Sequence, residues 1–178
     1  STTLQAEEYQ LKFKPSSTHF YKEFFLMALD DNQVCKVSLE GIQHWCSQIG
    51  YKPIGIYTQF EKVFVFSKNQ VQQYDFYTGK LQWEKTFSSA KKMIIGFPVI
   101  TVLKKNGLLY GYDFFTGIRL WKSDKAWINQ FEVGYDIWML KNNGKVVERI
   151  DRLSGEVTDT IRFNQKVKRI TGNTVDLY

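Results

Sequence analysis

The sequence holds only two cysteines, two histidines and three prolines in 178 residues. Two cysteines, Cys35 and Cys46, are too few for the disulfide framework that staples small secreted domains. No Cys-x-x-Cys pair or His/Cys cluster offers metal-ligand spacing. His19 and His44 lie in different strand contexts and build neither a catalytic triad nor a metal cage. So few prolines, and no low-complexity tract, argue against long disordered linkers. No apolar run approaches the roughly 18–20 residues needed to cross a bilayer; the longest, Phe24 to Leu29, is strand-sized. No segment joins a 3.6-residue period to helix caps. The start, Ser1-Thr2-Thr3-Leu4, has neither an initiator Met nor a basic-plus-apolar leader, as in a processed chain, an excised domain or a fragment.

What is abundant is aromatic: 14 Phe, 10 Tyr and 5 Trp make 16% of the chain. Such residues favour pleated, half-buried surfaces, and 43% hydrophobic content is enough for a substantial core. The net charge of +6 is unevenly placed. Residues 1–90 carry 9 basic and 9 acidic side chains, and the remainder 15 basic and 9 acidic, which is the whole excess. Lys91-Lys92, Lys104-Lys105 and Lys166-Val167-Lys168-Arg169 fall at predicted strand edges or loops. A basic face there would steer acidic partners, nucleic acid or anionic lipid. Solubility and edge protection by lysines is the plainer reading.

Internal repetition decides the architecture. Four segments align on a turn glycine: Val37-Ser38-Leu39-Glu40-Gly41, Asp75-Phe76-Tyr77-Thr78-Gly79, Asp113-Phe114-Phe115-Thr116-Gly117 and Asp151-Arg152-Leu153-Ser154-Gly155. The glycines are 38 residues apart in every interval, with no insertion or deletion needed. Four residues beyond them stand Trp45, Trp83, Trp121 and then Asp159. Gly41, Gly79, Gly117 and Gly155 are expected at the positive-φ position closing a type I turn with a G1 bulge. Asp75, Asp113 and Asp151 are expected to accept backbone N–H groups as Asx-turns do, and Thr78, Thr116 and Ser154 to add a hydroxyl. Spaced on successive repeats, these aspartates form no converging catalytic site.

Strand patterns recur around each turn. The second copy predicts strands at Pro53–Thr58, Lys62–Ser67, Val71–Asp75 and Leu81–Thr86. The third predicts Met93–Gly96, Pro98–Leu103, Leu108–Asp113 and Ile118–Lys122; the fourth, Phe131–Gly134, Asp136–Leu140, Lys145–Ile150 and Val157–Phe163. Lys68-Asn69-Gln70, Lys105-Asn106-Gly107 and Asn142-Asn143-Gly144 read as tight hairpin turns. The fold class is all-β: four-stranded antiparallel blades of a β-propeller, stacked so that a large Trp on the last strand fills the gap between neighbours.

At Tyr74-Asp75-Phe76-Tyr77-Thr78-Gly79-Lys80-Leu81-Gln82-Trp83 and Tyr112-Asp113-Phe114-Phe115-Thr116-Gly117-Ile118-Arg119-Leu120-Trp121 the chain resembles the PQQ-like (quinoprotein-type) β-propeller repeat. The resemblance covers roughly residues 20–165. It implies that Trp45, Trp83 and Trp121 dock one blade against the next. The family's alanine two places before Asp is replaced by Gln73, Gly111 and Arg149; the first copy has Val37 for Asp and the last Asp159 for Trp. The family's quinone enzymes carry a complete eight-bladed ring, an adjacent Cys-Cys pair and carboxylate and amide ligands for calcium. None of these is found here, so the resemblance implies a non-enzymatic member with no cofactor and no metal.

The repeats are placed at about 7–50, 51–88, 89–126 and 127–164 of a single propeller domain, with 165–178 opening a further blade. The chain is therefore expected to be part of a larger ring of about eight blades. A four-bladed ring, or two half-rings associating, are the alternatives. Cys35 and Cys46 flank the first hairpin and are expected near each other but diagonal, with a disulfide compatible and not required. Trp127, Tyr135 and Trp138, with Lys91, Lys92, Lys104 and Lys105, are the candidate partner surface; blade packing is the competing role for the aromatics.

The leading functional expectation is a protein-interaction scaffold within a larger assembly. Family members of that kind include an outer-membrane assembly lipoprotein and luminal domains of membrane-bound complexes or stress sensors, which favours a periplasmic or secretory-luminal home by analogy. The alternatives are a fragment of a quinone-dependent dehydrogenase, and a luminal sensor or a module that binds nucleic acid or an anionic surface through the basic second half; nucleic acid is the less favoured partner.

Overall fold

The computed structural model describes residues 14–141, 143–171 and 174–177. The described residues form strands and turns, with no helix among them. The first sheet contains β1 (Pro15–Tyr21), β2 (Phe24–Leu29), β3 (Gln33–Ser38) and β4 (Gln43–Gln48). The second contains β5 (Gly55–Gln59), β6 (Lys62–Phe66), β7 (Gln70–Asp75) and β8 (Leu81–Thr86). The third holds β9 (Ala90–Ile94), β10 (Val99–Lys104), β11 (Leu108–Asp113) and β12 (Arg119–Ala126), and the fourth β13 (Asn129–Val133), β14 (Asp136–Leu140), β15 (Val146–Ile150) and β16 (Val157–Arg162). A two-stranded hairpin follows, β17 (Val167–Thr171) and β18 (Thr174–Leu177). In each four-stranded sheet the strands lie side by side in chain order. This is the up-and-down blade of a β-propeller.

Burial explains which residues occupy which strand. In β10 the first five residues, Val99 to Leu103, are all buried, and β15 is nearly so, because a central strand is covered on both faces. The last strands, such as β16, are mostly exposed, and β1 alternates in strict period two. Boundaries differ from expectation mainly in the third sheet. There β9 begins at Ala90, which pairs with Lys104 beyond a bulge, and β12 runs on past two register shifts to pair Ala126 with Leu108.

The chain divides into two compact units, Ser1–Ser67 with Gln72–Gln82, and Lys68–Val71 with Trp83–Tyr178. In the first unit Leu26, Ala28, Val34, Ile56, Val65, Tyr74 and Phe76 share one core. In the second, Leu103, Leu109, Trp127, Ile137, Met139 and Ile150 form another, and Phe131, Leu140, Val147 and Val167 a third. First strands adjoin first strands: β1 lies beside β5, β9 beside β13, and β13 beside β17. The tail expected to open a further blade thus begins with a strand set against β13, anchored where Val167 N–H donates to Gly144 O at 2.7 Å. The beginning of the expected first repeat, 7–13, and Tyr178 lie outside the described residues.

The hairpins correct one expectation. A G1-type three-residue loop occurs only in the first copy, where Ser38 N–H donates to Ile42 O and Gly41 N–H to Ser38 O. The three later copies are one residue longer: Asp75 N–H donates to Lys80 O, and Gly79 N–H to Asp75 O, with the same pattern from Asp113 and Asp151. The glycine spacing hides this, because the first copy loses a residue in the turn without changing the distance to the next glycine. Val37 is therefore not the turn acceptor; Ser38 is, its hydroxyl accepting from Ile42 N–H at 3.2 Å.

Cys35 and Cys46 are a second correction. They are not diagonal but directly opposed in the β3–β4 register, and they form a disulfide. The one-residue-shorter turn brings them opposite each other. The bridge closes a short loop of separation 11, for which loop entropy gives about 2–3 kcal/mol. Cys35→Ser/Cys46→Ser should lower unfolding stability by up to about that amount, measured as the denaturant midpoint under non-reducing conditions, and dithiothreitol should shift the wild type toward the variant.

Candidate functional site

Each of the three later turns closes on an aspartate oxygen. Asp113 Oδ1 accepts from Phe115 N–H at 3.1 Å, Thr116 N–H at 2.7 Å and the Thr116 hydroxyl at 2.7 Å. Asp75 and Asp151 do the same with Tyr77 and Thr78, and with Leu153 and Ser154. The hydroxyls of Thr78, Thr116 and Ser154 in turn accept from Lys80, Ile118 and Glu156 N–H. For Asp151 the backbone N–H of Ser154 is the largest influence, and with the Ser154 hydroxyl it holds the carboxyl below its ordinary range. At Asp75 burial pushes upward, but the bonds from Thr78 and Tyr77 outweigh it and the net shift is again downward.

The tryptophans reach forward to the following turn. Trp45 Nε1 donates to Phe76 O at 2.9 Å, Trp83 Nε1 to Phe115 O at 2.8 Å, and Trp121 Nε1 to Arg152 O at 2.8 Å. The indoles lie on glycine: a Cβ at Gly79 would stand 2.6 Å from the Trp45 ring, at Gly117 2.9 Å from Trp83, and at Gly155 2.6 Å from Trp121. Two residues beyond Trp45 and Trp83, Ser47 Oγ and Lys85 Nζ donate to the carbonyls of Gly79 and Gly117. Trp121 also covers Gly111, where a Cβ would approach within 2.1 Å, so the departure from alanine makes room for the ring. In the fourth copy the tryptophan position is polar: Arg149 bridges Asp159 and, at 3.7 Å, Asp136.

Two buried cations were not expected. Lys36 is 4% exposed and its ammonium stands 3.9 Å from the ring centres of both Phe24 and Phe76. Burial, then the charge of Lys22, lowers its pKa. Arg152 occupies the turn position of the buried Phe76 and Phe114, pairs with Glu132 and donates to Phe97 O at 3.3 Å. Gly96 makes space, since a Cβ there would meet the guanidinium at 2.7 Å. The signal for Arg152 was present as a charge at an apolar repeat position; for Lys36 the one-residue offset in the first turn obscured it.

Two residues before every turn glycine a large apolar side chain points outward. Leu39 is 58% exposed, Tyr77 60%, Phe115 44% and Leu153 65%. Ile42 and Ile118, just after the glycine, are exposed as well. In the first unit Tyr77 borders a strained hairpin, Phe60-Glu61, whose two residues have φ of 50° and 55° where glycine or asparagine is favoured. Lys22 ties the corner together, donating to Glu61 at 2.7 Å and to the Tyr77 hydroxyl at 3.3 Å.

The expected partner surface is partly dissolved. Trp127, 2% exposed, is a core residue whose Nε1 donates to Glu148 Oε2 at 2.8 Å, so it offers no surface. Trp138 is half-buried against the cluster of Phe131, Leu140 and Val147. Tyr135 is fully presented to solvent. Lys91, Lys92 and Lys104 point their ammonium groups at the carbonyls of Ile128, Gln130 and Ser88, while Lys105 is exposed. The described residues contain no group of three His, Cys, Asp or Glu side chains able to hold a metal, and no helix long and apolar enough to cross a membrane.

Solved structures similar to this chain include BamB from Moraxella catarrhalis, at 17% identity and TM-score 0.59, covering 85% of this chain and 50% of that one. Another is BBS1N in complex with ARL6DN, at 13% identity and TM-score 0.56, covering 81% of this chain and 51% of that one. Both are β-propellers, and the likeness extends to the fold alone. The chain spans about half the length of these structures. No protein-family model matches the sequence, and no curated protein is significantly similar to it.

Gly117 and Gly134 both have positive φ, but a Cβ at Gly134 meets nothing within 4 Å. Gly134→Ala should therefore cost about 1 kcal/mol from backbone strain, and Gly117→Ala about 2 kcal/mol or more, with the excess read from denaturant midpoints as the loss of the Trp83 contact. A depressed folded pKa gives stability that is complete above the unfolded value and lost as pH falls through the folded one. Stability should accordingly decline below about pH 4, with a shallower decline in Asp151→Ala.

Proposed function

We propose that this chain is a non-catalytic subunit or scaffold of a protein assembly. One observation carries the reading: the same turn position in all four repeats exposes a large apolar side chain, Leu39, Tyr77, Phe115 and Leu153. Asp, a hydroxyl and Gly close the three later turns, and this position, though Tyr77 bonds Lys22 and Phe115 packs against Phe97, keeps much of its apolar surface in solvent. Apolar groups kept there in every copy are best explained by a partner that covers them. The turn aspartates, meanwhile, each commit one carboxylate oxygen, Oδ1, to local N–H and hydroxyl groups. The likeness to BBS1N, solved in complex with ARL6DN, supports a propeller that engages another protein.

The four repeats and the β17–β18 hairpin form part of a larger ring in this reading, in keeping with neighbours about twice as long. The Cys35–Cys46 bridge favours an oxidising compartment such as a periplasm or secretory lumen.

The test is the mobility of the natural full-length protein in native extracts. Wild type should run within a larger assembly, and Leu39→Ser/Tyr77→Ser/Phe115→Ser/Leu153→Ser should release it with its thermal midpoint preserved. A wild-type protein that runs alone, or a variant still assembled, sinks the proposal. Cofactor absorbance on adding pyrroloquinoline quinone and calcium would turn the reading toward a redox enzyme.

A further inference from the structure

Charge in the second unit is sorted by strand end. The hairpins β10–β11 and β14–β15, the start of β9 and the ends of β12 and β16 all lie at the end of the strands away from the Asp-x-x-Thr-Gly turns, as their registers require. This end carries Lys105, Lys125, Lys145, Arg162 and Lys166, all exposed, and none has a side-chain ion pair or hydrogen bond among the described residues. Among the described side chains the acids there are few. Asp124 is exposed, and the buried Glu148 is already held by Trp127 Nε1 and, at 3.3 Å, by Lys141 Nζ. The opposite end holds Asp113, Glu132, Asp136, Asp151, Glu156 and Asp159, and there Arg149 and Arg152 are paired.

The basic end also has a recess, lined by Ala126, Lys141, Asn143, Val146, Glu148 and Arg162. Its chemistry is peculiar to the fourth repeat. The residues 38 positions before Trp127, Lys141, Glu148 and Arg162 are Ser89, Leu103, Tyr110 and Asp124. The blade therefore folds without this set of groups in the preceding copy. Glu148 neutralises Lys141 at the floor and leaves the Arg162 guanidinium as the unpaired cation of the rim.

We propose that this end of the second unit docks an acidic segment of a partner polypeptide, with one carboxylate side chain seated on Arg162 at the recess. Charge complementarity selects an acidic partner. The surface selects polypeptide over the other polyanions. Stacking of nucleic-acid bases needs exposed aromatic faces, and among the described residues the aromatics of this end, Phe87, Trp127 and Phe163, are buried or half-buried. Adsorption to an anionic bilayer is firm when apolar anchors enter it; of the exposed large apolar side chains in this unit Ile161 alone stands near the basic end, while Phe115, Ile118, Leu120, Tyr135 and Leu153 lie toward the other. The site is distinct from the apolar turn tips and does not rest on them.

The test is fluorescence anisotropy of the full protein with a labelled oligo-glutamate peptide at low salt. The arms are a thymidine oligonucleotide of equal charge and vesicles of phosphatidylcholine with phosphatidylserine. Saturable peptide binding that weakens with salt is expected. Lys145→Glu/Arg162→Glu should weaken it by about tenfold or more, while Lys80→Glu/Arg119→Glu, with the same change in net charge at other turns, leaves it nearly intact. Both variants should keep the wild-type thermal midpoint; if the first does not, Lys145→Gln/Arg162→Gln replaces it. Absent peptide binding, equal loss in the control variant, or tighter binding to the oligonucleotide or vesicles overturns the proposal.

Discussion

The face of a tryptophan laid on a glycine of the following turn is the contact on which the blades depend. An indole can lie flat against backbone only where no Cβ intervenes, and the glycine that permits this already has positive φ to close its turn. One residue therefore satisfies two demands, local and tertiary. The indole N–H then donates to a carbonyl of the same turn, which fixes the ring in the plane as well as against it. The aspartate and hydroxyl behind the glycine make the turn stiff enough to be a docking surface.

This arrangement sorts buried from exposed side chains within a single turn. Asp, Thr and Gly face inward to the loop's own backbone, the second residue is buried as Phe76, Phe114 or Arg152, and the third is released to solvent. The same logic governs the ends of the strands in the second unit. The buried Trp127–Glu148 pair of the fourth repeat, with Lys141 beside it, is a departure that the preceding copy does without.

Where the expectation failed, burial or register was the cause. Trp127 looks in sequence like any edge aromatic, but the core of the second unit encloses it and Glu148 satisfies its N–H. Cys35 and Cys46 appeared diagonal because equal glycine spacing concealed a turn one residue shorter, and a shift of one residue changes which side chains oppose one another. Lys36 was invisible for the same reason, since its place opposite Trp45 follows from pairing and not from counting.

By itself, the sequence determined the repeat, the all-β class, where the turns fall and the tryptophans that meet them. These are legible because local chemistry at fixed spacing repeats itself, and each copy confirms the others. Only the tertiary structure decided which cations are buried, which aromatics stay exposed, and that the two cysteines are joined. Those outcomes depend on residues distant in sequence that pack face to face, and no spacing rule along the chain encodes what lies across the sheet.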